Sequence, residues 1–365
     1  SNARVSQDET FRPPFLPAWY ALPMHLGYWG DTMVSANGRA YLVWANRAFN
    51  TSVSLIARDI HSGLKLWERP FSWNEPRDKN RSGYFSGRSC LFAEGDVLYL
   101  VDEADVRLLE GETGDEIGCI EGPQSDGQIK WMGAEDGTMA LLAGDADRFR
   151  ISSLQQACTN PVGRKLAVYD LRTRQRLWTA TEQSDVDQRE VAILDGRLYY
   201  HAIGQRVVCR DLSTGELQWE NRDAKVLELL GNRVDETGAL LISARGMAIQ
   251  PSALYFAAAW MKHRVAIDPA SGKLLWSQPV GRTGRAVRDL LCNDTLYADG
   301  KIDVTTGEVI EAFRVPADGC GPSFAAPGCI VTAFGGVSTF DGQTLRKADL
   351  KPACDLGVII SDGVA

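Results

Sequence analysis

An aspartate-to-tryptophan phrase recurs along the chain and constrains its fold more than any other feature. In four copies, Ser or Thr stands three residues after the Asp, and Trp stands eight after it. The four pairs are Asp59 with Trp67, Asp170 with Trp178, Asp211 with Trp219, and Asp268 with Trp276. The fourth place after Asp holds Gly63, Gly215 and Gly272, but Arg174 in the second copy. Weaker copies occur at 110–114, at Asp303 with Gly307, and at 340–342. Spacings of roughly 35 to 60 residues are typical of repeated units with loops of variable length.

Each copy follows a short run of apolar and β-branched residues, which predicts a strand. These runs lie at 54–58, 165–169, 206–210 and 263–267. A second strand pair is predicted upstream of each, around Leu-Tyr runs such as 195–202 and 252–258. Each unit is therefore a four-stranded antiparallel sheet that cannot bury both of its faces alone. The sequence predicts an all-β fold, a β-propeller of four-stranded blades, with eight blades favoured and seven as the alternative.

The positions that recur in each copy of the phrase have separate physical roles. The Asp can accept hydrogen bonds from the amides of the turn, and Gly supplies the positive φ that a tight turn needs. The Trp lies on the next strand, where we expect it to pack against the neighbouring unit. Full burial of ~150–250 Å² gives an upper bound of ~4–6 kcal/mol for each Trp. No segment predicts a convincing amphipathic helix, apart from one or two turns at 151–157.

The phrase resembles the Asp-x-x-Thr-Gly-x-x-x-Trp repeat of the quinoprotein alcohol dehydrogenase-like propellers, the PQQ-type repeat family. The resemblance covers nearly the whole chain from about Gly30. It implies the propeller fold and an exported, periplasmic or extracellular location. The same repeat builds both quinone-dependent dehydrogenases and non-enzymatic scaffolds, so the resemblance does not fix an activity.

The dehydrogenases of this family carry active-site residues that cannot be found in this sequence. No two cysteines are adjacent in the sequence, whereas those enzymes hold an adjacent Cys pair against the cofactor. Their calcium ligands, catalytic Asp and floor Trp cannot be matched residue by residue. The leading hypothesis is therefore a binding or scaffold module for a protein or cell-surface ligand, without catalysis or a cofactor of its own. The alternative is an oxidoreductase with an atypical site that uses pyrroloquinoline quinone (PQQ) and calcium.

The repeat also sets the expected domain organisation. Residues 1–29 comprise Ser1-Asn2-Ala3, typical of a scar left by tag cleavage, and an extended, proline-rich leader. Residues 30–365 form a single propeller whose last blade is incomplete or is closed by the N-terminal segment. No apolar run is long enough to predict a membrane span. We expect a monomer.

The net charge limits the classes of partner that the chain is expected to bind, and the cysteine positions limit the disulfides that it can form. The net charge of −8 argues against nucleic-acid binding, which usually shows a basic footprint. An arginine-rich stretch at 281–288 is either a solvated loop or an anion-binding patch. Cys320 and Cys354 stand at similar places in successive units and are candidates for a disulfide, which sequence alone cannot establish. Cys329 lies in the same C-terminal cluster. The five cysteines outside it are expected mostly to be buried, inert thiols: Cys90, Cys119, Cys158, Cys209 and Cys292.

Other candidate residues carry weak signals. None of the four histidines has metal-ligand spacing, so no metal is predicted. We expect His61 on the surface of a repeat turn and His201 as a structural histidine. The acids at 145, 147, 185 and 187 are expected to be solvated turn residues rather than calcium ligands. Trp29 is expected to fill a seam between two blades. Alternatively, the aromatic residues at 28–29 and in the connection 73–84 bind a ligand on a long loop.

Overall fold

The computed structural model describes residues 33–45, 53–71, 91–102, 104–123, 127–145, 162–231, 246–257, 261–280, 289–316, 323–326, 328–332 and 336–346. These ranges hold seven four-stranded antiparallel units, and they confirm the predicted all-β blades. An eighth blade would involve the chain ends, which lie outside the described residues together with Cys320, Cys354 and the stretch 281–288. No helix in the described ranges is long and apolar enough to cross a membrane.

The first two blades precede the longest sheet. Blade one contains β1 (Met33–Ala36), β2 (Arg39–Ala45), β3 (Val53–Asp59) and β4 (Lys65–Phe71). Blade two contains β5 (Leu91–Glu94), β6 (Val97–Asp102), β7 (Asp105–Glu110) and β8 (Glu116–Ile120). Within each blade, every strand pairs with its sequence neighbour, as short hairpins require.

Blades three and four share one strand. Blade three contains β9 (Gln128–Glu135), β10 (Thr138–Gly144), β11 (Val162–Asp170) and the first part of β12 (Arg176–Leu194). The second part of β12 begins blade four, which continues with β13 (Arg197–Ala202), β14 (Arg206–Asp211) and β15 (Leu217–Asn221). β12 is 19 residues long and joins both blades into one seven-stranded sheet. It pairs with β11 up to Asp187 and with β13 from Val186, with register shifts on both sides.

The remaining blades are shorter. Blade five contains β16 (Met247–Gln250), β17 (Ala253–Phe256), β18 (His263–Ile267) and β19 (Leu274–Pro279). Blade six contains β20 (Leu290–Cys292), β21 (Thr295–Tyr297), β22 (Lys301–Asp303) and β23 (Val309–Glu311). Blade seven contains β24 (Phe324–Ala326), β25 (Cys329–Val331), β26 (Val337–Thr339) and β27 (Thr344–Arg346). The first strands of successive blades lie side by side in chain order, from β1 beside β5 to β20 beside β24.

A short helix, α1 (Ala224–Leu230), follows β15 and corrects the expectation that no convincing helix is present. The carboxylate of Asp223 caps it by accepting from the amide of Lys225 at 2.8 Å. Val226 and Leu230 are its buried side chains. With only two such anchors, the helix is too short to give a clear 3.6-residue hydrophobic period, so the sequence pattern did not reveal it.

The repeat phrase forms the turn between the third and fourth strand of each blade. At Asp211, the carboxylate accepts from the amides of Ser213 at 3.0 Å and Thr214 at 2.8 Å, and from both hydroxyls. The amide of Gly215 donates to the Asp211 carbonyl at 3.0 Å, and the φ of Gly215 is 75°. Equivalent bonds from the Ser or Thr side chain form at Asp59, Asp170, Asp268 and Asp303. These bonds hold the pKa of each turn aspartate below its usual value.

The tryptophan of one blade contacts the repeat turn of the next blade. The indole N–H of Trp219 donates to the Pro269 carbonyl at 2.8 Å, one residue after Asp268. The indole also lies against Gly272, where a Cβ would collide with its ring. Trp67, Trp178 and Trp276 make the same bond to the carbonyls of Gly111, Leu212 and Val304, at 2.9, 2.9 and 2.7 Å. Glycine is therefore required at this place for two reasons. It adopts the positive φ, and it leaves room for the indole of the preceding blade.

Burial of these tryptophans is less complete than the upper bound assumes. Trp276 is 8% exposed, whereas Trp67, Trp178 and Trp219 are half-buried. Because hydrophobic stabilisation follows the apolar area removed from water, the three half-buried rings do not reach the ~4–6 kcal/mol limit.

Candidate functional site

The buried ionisable residues of the described chain concentrate along β12. This strand carries a polar run where it passes from the outer edge of blade three to the inner edge of blade four. Glu182, Asp187, Gln188 and Glu190 are at most 4% exposed. Charged groups in a protein interior need partners that offset the loss of hydration, and β12 supplies them within two groups. We call these the Glu182 group and the Glu190 group.

The Glu182 group lies between blades three and four. Arg206, on β14, donates to both oxygens of Glu182 through Nη2, at 3.0 and 2.8 Å. The hydroxyl of Tyr200, on β13, donates to Glu182 Oε1 at 2.7 Å and accepts from Arg210 Nε at 2.9 Å. Burial raises the pKa of Tyr200, so this hydroxyl keeps its proton and remains a donor.

Glu220 extends the Glu182 group toward solvent. It forms ion pairs with Arg222, at 2.7 Å, and with Arg206. Hydrogen bonds from Arg222 and then from Arg206 lower the pKa of Glu220 to about 2. Arg206 therefore stands between the carboxylates of Glu182 and Glu220, and it links blade four to the outer strand of blade three.

The Glu190 group lies between blades four and five. Nδ1 of His201 is 2.8 Å from Glu190 Oε2, and the two side chains are 0% and 1% exposed. Gly246, directly before β16 of blade five, lies so close that a Cβ there would be 2.5 Å from Glu190 Cγ. The His201 ring also meets Phe256 edge-on, with 6.3 Å between ring centroids. Glycine at 246 is therefore needed for the close packing of blade five on this pair.

Asp187 and Arg189 complete the polar stretch of β12. Arg189 Nε donates to Asp187 Oδ1 at 2.8 Å, and the Arg189 amide donates to the same oxygen at 2.9 Å. The Asp187 side chain is fully buried, so the expectation that it is a solvated turn acid is wrong. Asp185 is paired with Arg164 at 2.6 Å. The alternation of Asp and Val at 185–187 resembles a turn because the sequence does not show that β12 continues through it.

A similar ion pair joins blades five and six. Arg264, on β18, donates through Nε to Asp289 Oδ2 at 3.0 Å and through Nη2 to Asp299 at 2.9 Å. The hydroxyl of Tyr255 donates to the same Asp289 carboxylate. Arg264 and Asp289 are each 6% exposed. The pair holds the start of the inner strand β20 against the preceding blade.

These buried, hydrogen-bonded groups favour a structural role over a catalytic one. A histidine bonded to a carboxylate is the arrangement of a general base, but a base must reach the proton that it removes. The His201 and Glu190 side chains are buried in this structure, as expected for a structural histidine. His61 lies on the surface of a repeat turn, where its amide donates to Asp59 at 3.2 Å, as expected.

Among the described residues, no three His, Cys, Asp or Glu side chains come close enough to hold a metal ion. Burial raises the pKa of Cys209, Cys292 and Cys329 to about 11, which keeps these thiols protonated. Cys119 on β8 is exposed, an exception to the expectation that these cysteines are mostly buried.

The family resemblance makes PQQ a candidate cofactor. PQQ is a tricarboxylic acid, so its site would need basic side chains and a metal ion near the axis of the ring. On the inner strands and beside them, Arg189 and Arg264 are bonded to Asp187 and Asp289. Both arginines are therefore already engaged by carboxylates of this chain.

The repeated sheets and the tryptophan contacts define a propeller of the PQQ-type repeat class. A family model described as outer membrane protein assembly factor BamB matches residues 29–221, just over half of the 365-residue chain. The chain therefore belongs to this family of PQQ-type repeat propellers. No curated protein matches it significantly.

Solved structures share the fold. A computationally designed protein, Ika8, has 16% identity and a TM-score of 0.55, over 88% of this chain and 87% of that one. A europium-containing methanol dehydrogenase has 11% identity and a TM-score of 0.52, over 97% and 85% of the two chains. BamB from Moraxella catarrhalis has 13% identity and a TM-score of 0.45, over 75% and 69%. At these identities, the first two similarities show the fold alone.

Proposed function

We propose that this chain is an exported binding or scaffold propeller that has no catalysis of its own and acts in the periplasm or outside the cell. The observation that carries the proposal is the pairing of its buried charges. Glu182 is bonded to Arg206 two strands away, Glu190 to His201 on the neighbouring strand, and Asp289 to Arg264 of the preceding blade. These buried pairs hold strands and blades together, and they leave recognition to the surface of the ring.

The family match supports the same conclusion. The matching model is described as an outer membrane protein assembly factor, and a role in assembly fits a binding or scaffold module. The outer edges of the blades also offer apolar side chains for contacts. Leu64 on the blade-one turn and Val309 on β23 are 69% and 64% exposed, and other aliphatic residues on the fourth strands are exposed as well. Edge strands with free backbone groups are common sites for strand addition by a partner.

The test is site-directed photo-crosslinking in the native host. A photoreactive amino acid at Leu64 or at Val309 should give a discrete crosslinked product with a protein or a cell-surface glycan. The same amino acid at buried Leu98 is the matched control and should give none. Absence of any product from several exposed positions around the ring would contradict the binding function.

The quinone-dependent alternative is tested separately. Purified protein should show neither a new absorbance band nor a change in melting temperature when PQQ and Ca²⁺ are added together. A saturable shift of the melting temperature would support a resident cofactor and would overturn this part of the proposal.

A further inference from the structure

The seam between blades two and three departs from the other described tryptophan seams in two residues at once. Blade two has Gly118 at the place where Trp67, Trp178, Trp219 and Trp276 stand in their blades. The following turn, in blade three, has Arg174 where the phrase has glycine. The Arg174 guanidinium lies where a side chain on Gly118 would begin. The arginine therefore occupies the space that an indole fills in the other seams.

Arg174 adopts this position at a backbone cost. Its φ is 61°, in the left-handed region that favours glycine. The side chain remains exposed, and its Nη2 donates to the Ile117 carbonyl at 3.1 Å. That is its one side-chain hydrogen bond within the described ranges. A guanidinium has five N–H donors, so most of this group's capacity faces solvent.

The surrounding turn is basic on an acidic protein. Arg172, Arg174 and Arg176 alternate along the blade-three turn, and all three are exposed. None of the three forms an ion pair with another described residue. The equivalent turn of blade two carries acids instead, at positions 110, 112, 115 and 116. The three arginines are therefore a local positive surface on a chain of net charge −8.

Apolar surface adjoins this positive patch. Ile117, whose carbonyl accepts from Arg174, is 43% exposed on the edge strand β8. Leu177, directly after Arg176, is 45% exposed. Guanidinium groups bind carboxylates through paired hydrogen bonds, and exposed aliphatic side chains pack against other apolar side chains. A segment that alternates acidic and apolar residues matches both features.

We propose that the blade-two to blade-three seam, centred on Arg174 and Gly118, is a docking site for an extended acidic and apolar segment of a partner protein. The site deepens the proposed binding function and rests on it. A carboxylate of the partner pairs with the Arg174 guanidinium, and a neighbouring apolar side chain covers Ile117. Arg172 and Arg176 attract the segment through longer-range electrostatics.

The experiment is fluorescence anisotropy of the purified full chain with a labelled short peptide of alternating Glu and Leu. A peptide of alternating Lys and Leu is the control for apolar binding alone. Arg174→Gly should weaken binding of the Glu peptide by about tenfold, the effect of losing a charge-assisted hydrogen-bonded pair. The variant restores the glycine of the repeat and removes the strained φ, so it should fold.

Two further variants make the result specific. Arg314→Ala removes one exposed positive charge just after blade six and should change binding by less than about twofold. The double variant Gly118→Trp with Arg174→Gly fills the slot with an indole. It should keep or raise the melting temperature and should lose the binding.

Several outcomes would overturn the site. These are no binding of the Glu peptide by the wild-type protein, equal binding of the Lys peptide, and equal weakening by the two single arginine variants. If the wild-type protein gives crosslinked products from Leu64 or Val309 but does not bind the Glu peptide, then the binding function stands and this site is wrong. Crosslinked products together with Glu-peptide binding that Arg174→Gly weakens and Arg314→Ala leaves unchanged would support both.

Discussion

Arg174 lies over Gly118, in the space that tryptophan occupies in the other described tryptophan seams. The two departures from the repeat compensate one another. Gly118 leaves a gap, and Arg174 fills it from the facing turn. An indole at 118 would collide with the arginine, and glycine at 174 alone would leave the gap open. The pair therefore predicts strongly non-additive effects of substitution.

Restoring the repeat at this seam should stabilise the protein. Gly118→Trp alone should lower the melting temperature, because Arg174 occupies the space. Arg174→Gly should change stability by about 1 kcal/mol or less, since relief of the positive φ offsets the lost contact. The double variant should melt above the wild-type protein. Thermal denaturation of all four proteins, analysed as a double-mutant cycle, measures the coupling, and additive effects would contradict it.

The seams should differ in their dependence on tryptophan. Trp276→Ala should cost about 3–5 kcal/mol, because this ring is 8% exposed. Trp219→Ala should cost less, because its ring is half-buried. Trp219→Phe should lose mainly the bond to the Pro269 carbonyl, about 0.5–1.5 kcal/mol. Urea denaturation gives the three values, and equal costs for the two alanine variants would show that burial does not set the contribution.

Glycine at 272 should be less replaceable than glycine at 196. Both have positive φ, 72° and 68°. A Cβ at Gly196 meets nothing within 4 Å, whereas a Cβ at Gly272 collides with the Trp219 ring. Gly196→Ala should cost about 1–2 kcal/mol from the backbone alone. Gly272→Ala should cost clearly more, and a matching loss of stability in the two variants would rule out the close approach of the indole.

The repeat turns should make stability sensitive to acid. Hydrogen bonds from Ser213, then from the Thr214 amide, hold the pKa of Asp211 below its usual value. A carboxyl whose pKa is lowered by folding stabilises the fold above its unfolded pKa, and the contribution is lost as pH falls through the folded pKa. Stability should therefore decrease below about pH 4. Asp211→Asn should be less stable at neutral pH and should lose less on acidification, as measured by melting temperature against pH.

The sequence predicted the blades because their signals are local. The turn that runs from Asp211 to Gly215 is specified by residues within five positions of one another, and the position of Trp219 on the next strand follows from it. The partner of that indole, the Pro269 carbonyl, is 50 residues away, and only the repetition of the phrase made the contact predictable.

The buried charges were not predictable in the same way. Glu190 and His201 stand on neighbouring strands of one sheet, and nothing in the sequence near either residue marks it as buried. Asp187 was misjudged because the sequence does not show that β12 runs on from blade three into blade four. The helix α1 was missed because its Asp223 cap and two buried residues give too short a pattern. The polar run from Gln183 to Glu190 is unusual for an inner strand, but it does not show which of its side chains are buried.

The unbroken β12 has a consequence for how this ring can deform. Backbone hydrogen bonds continue from β9 to β15, so no flexible connection separates blades three and four. We therefore expect the two blades to move together as one unit rather than to pivot against each other. The turn that carries Arg174 leads directly into β12, and that same strand carries Glu190, the partner of His201 on β13.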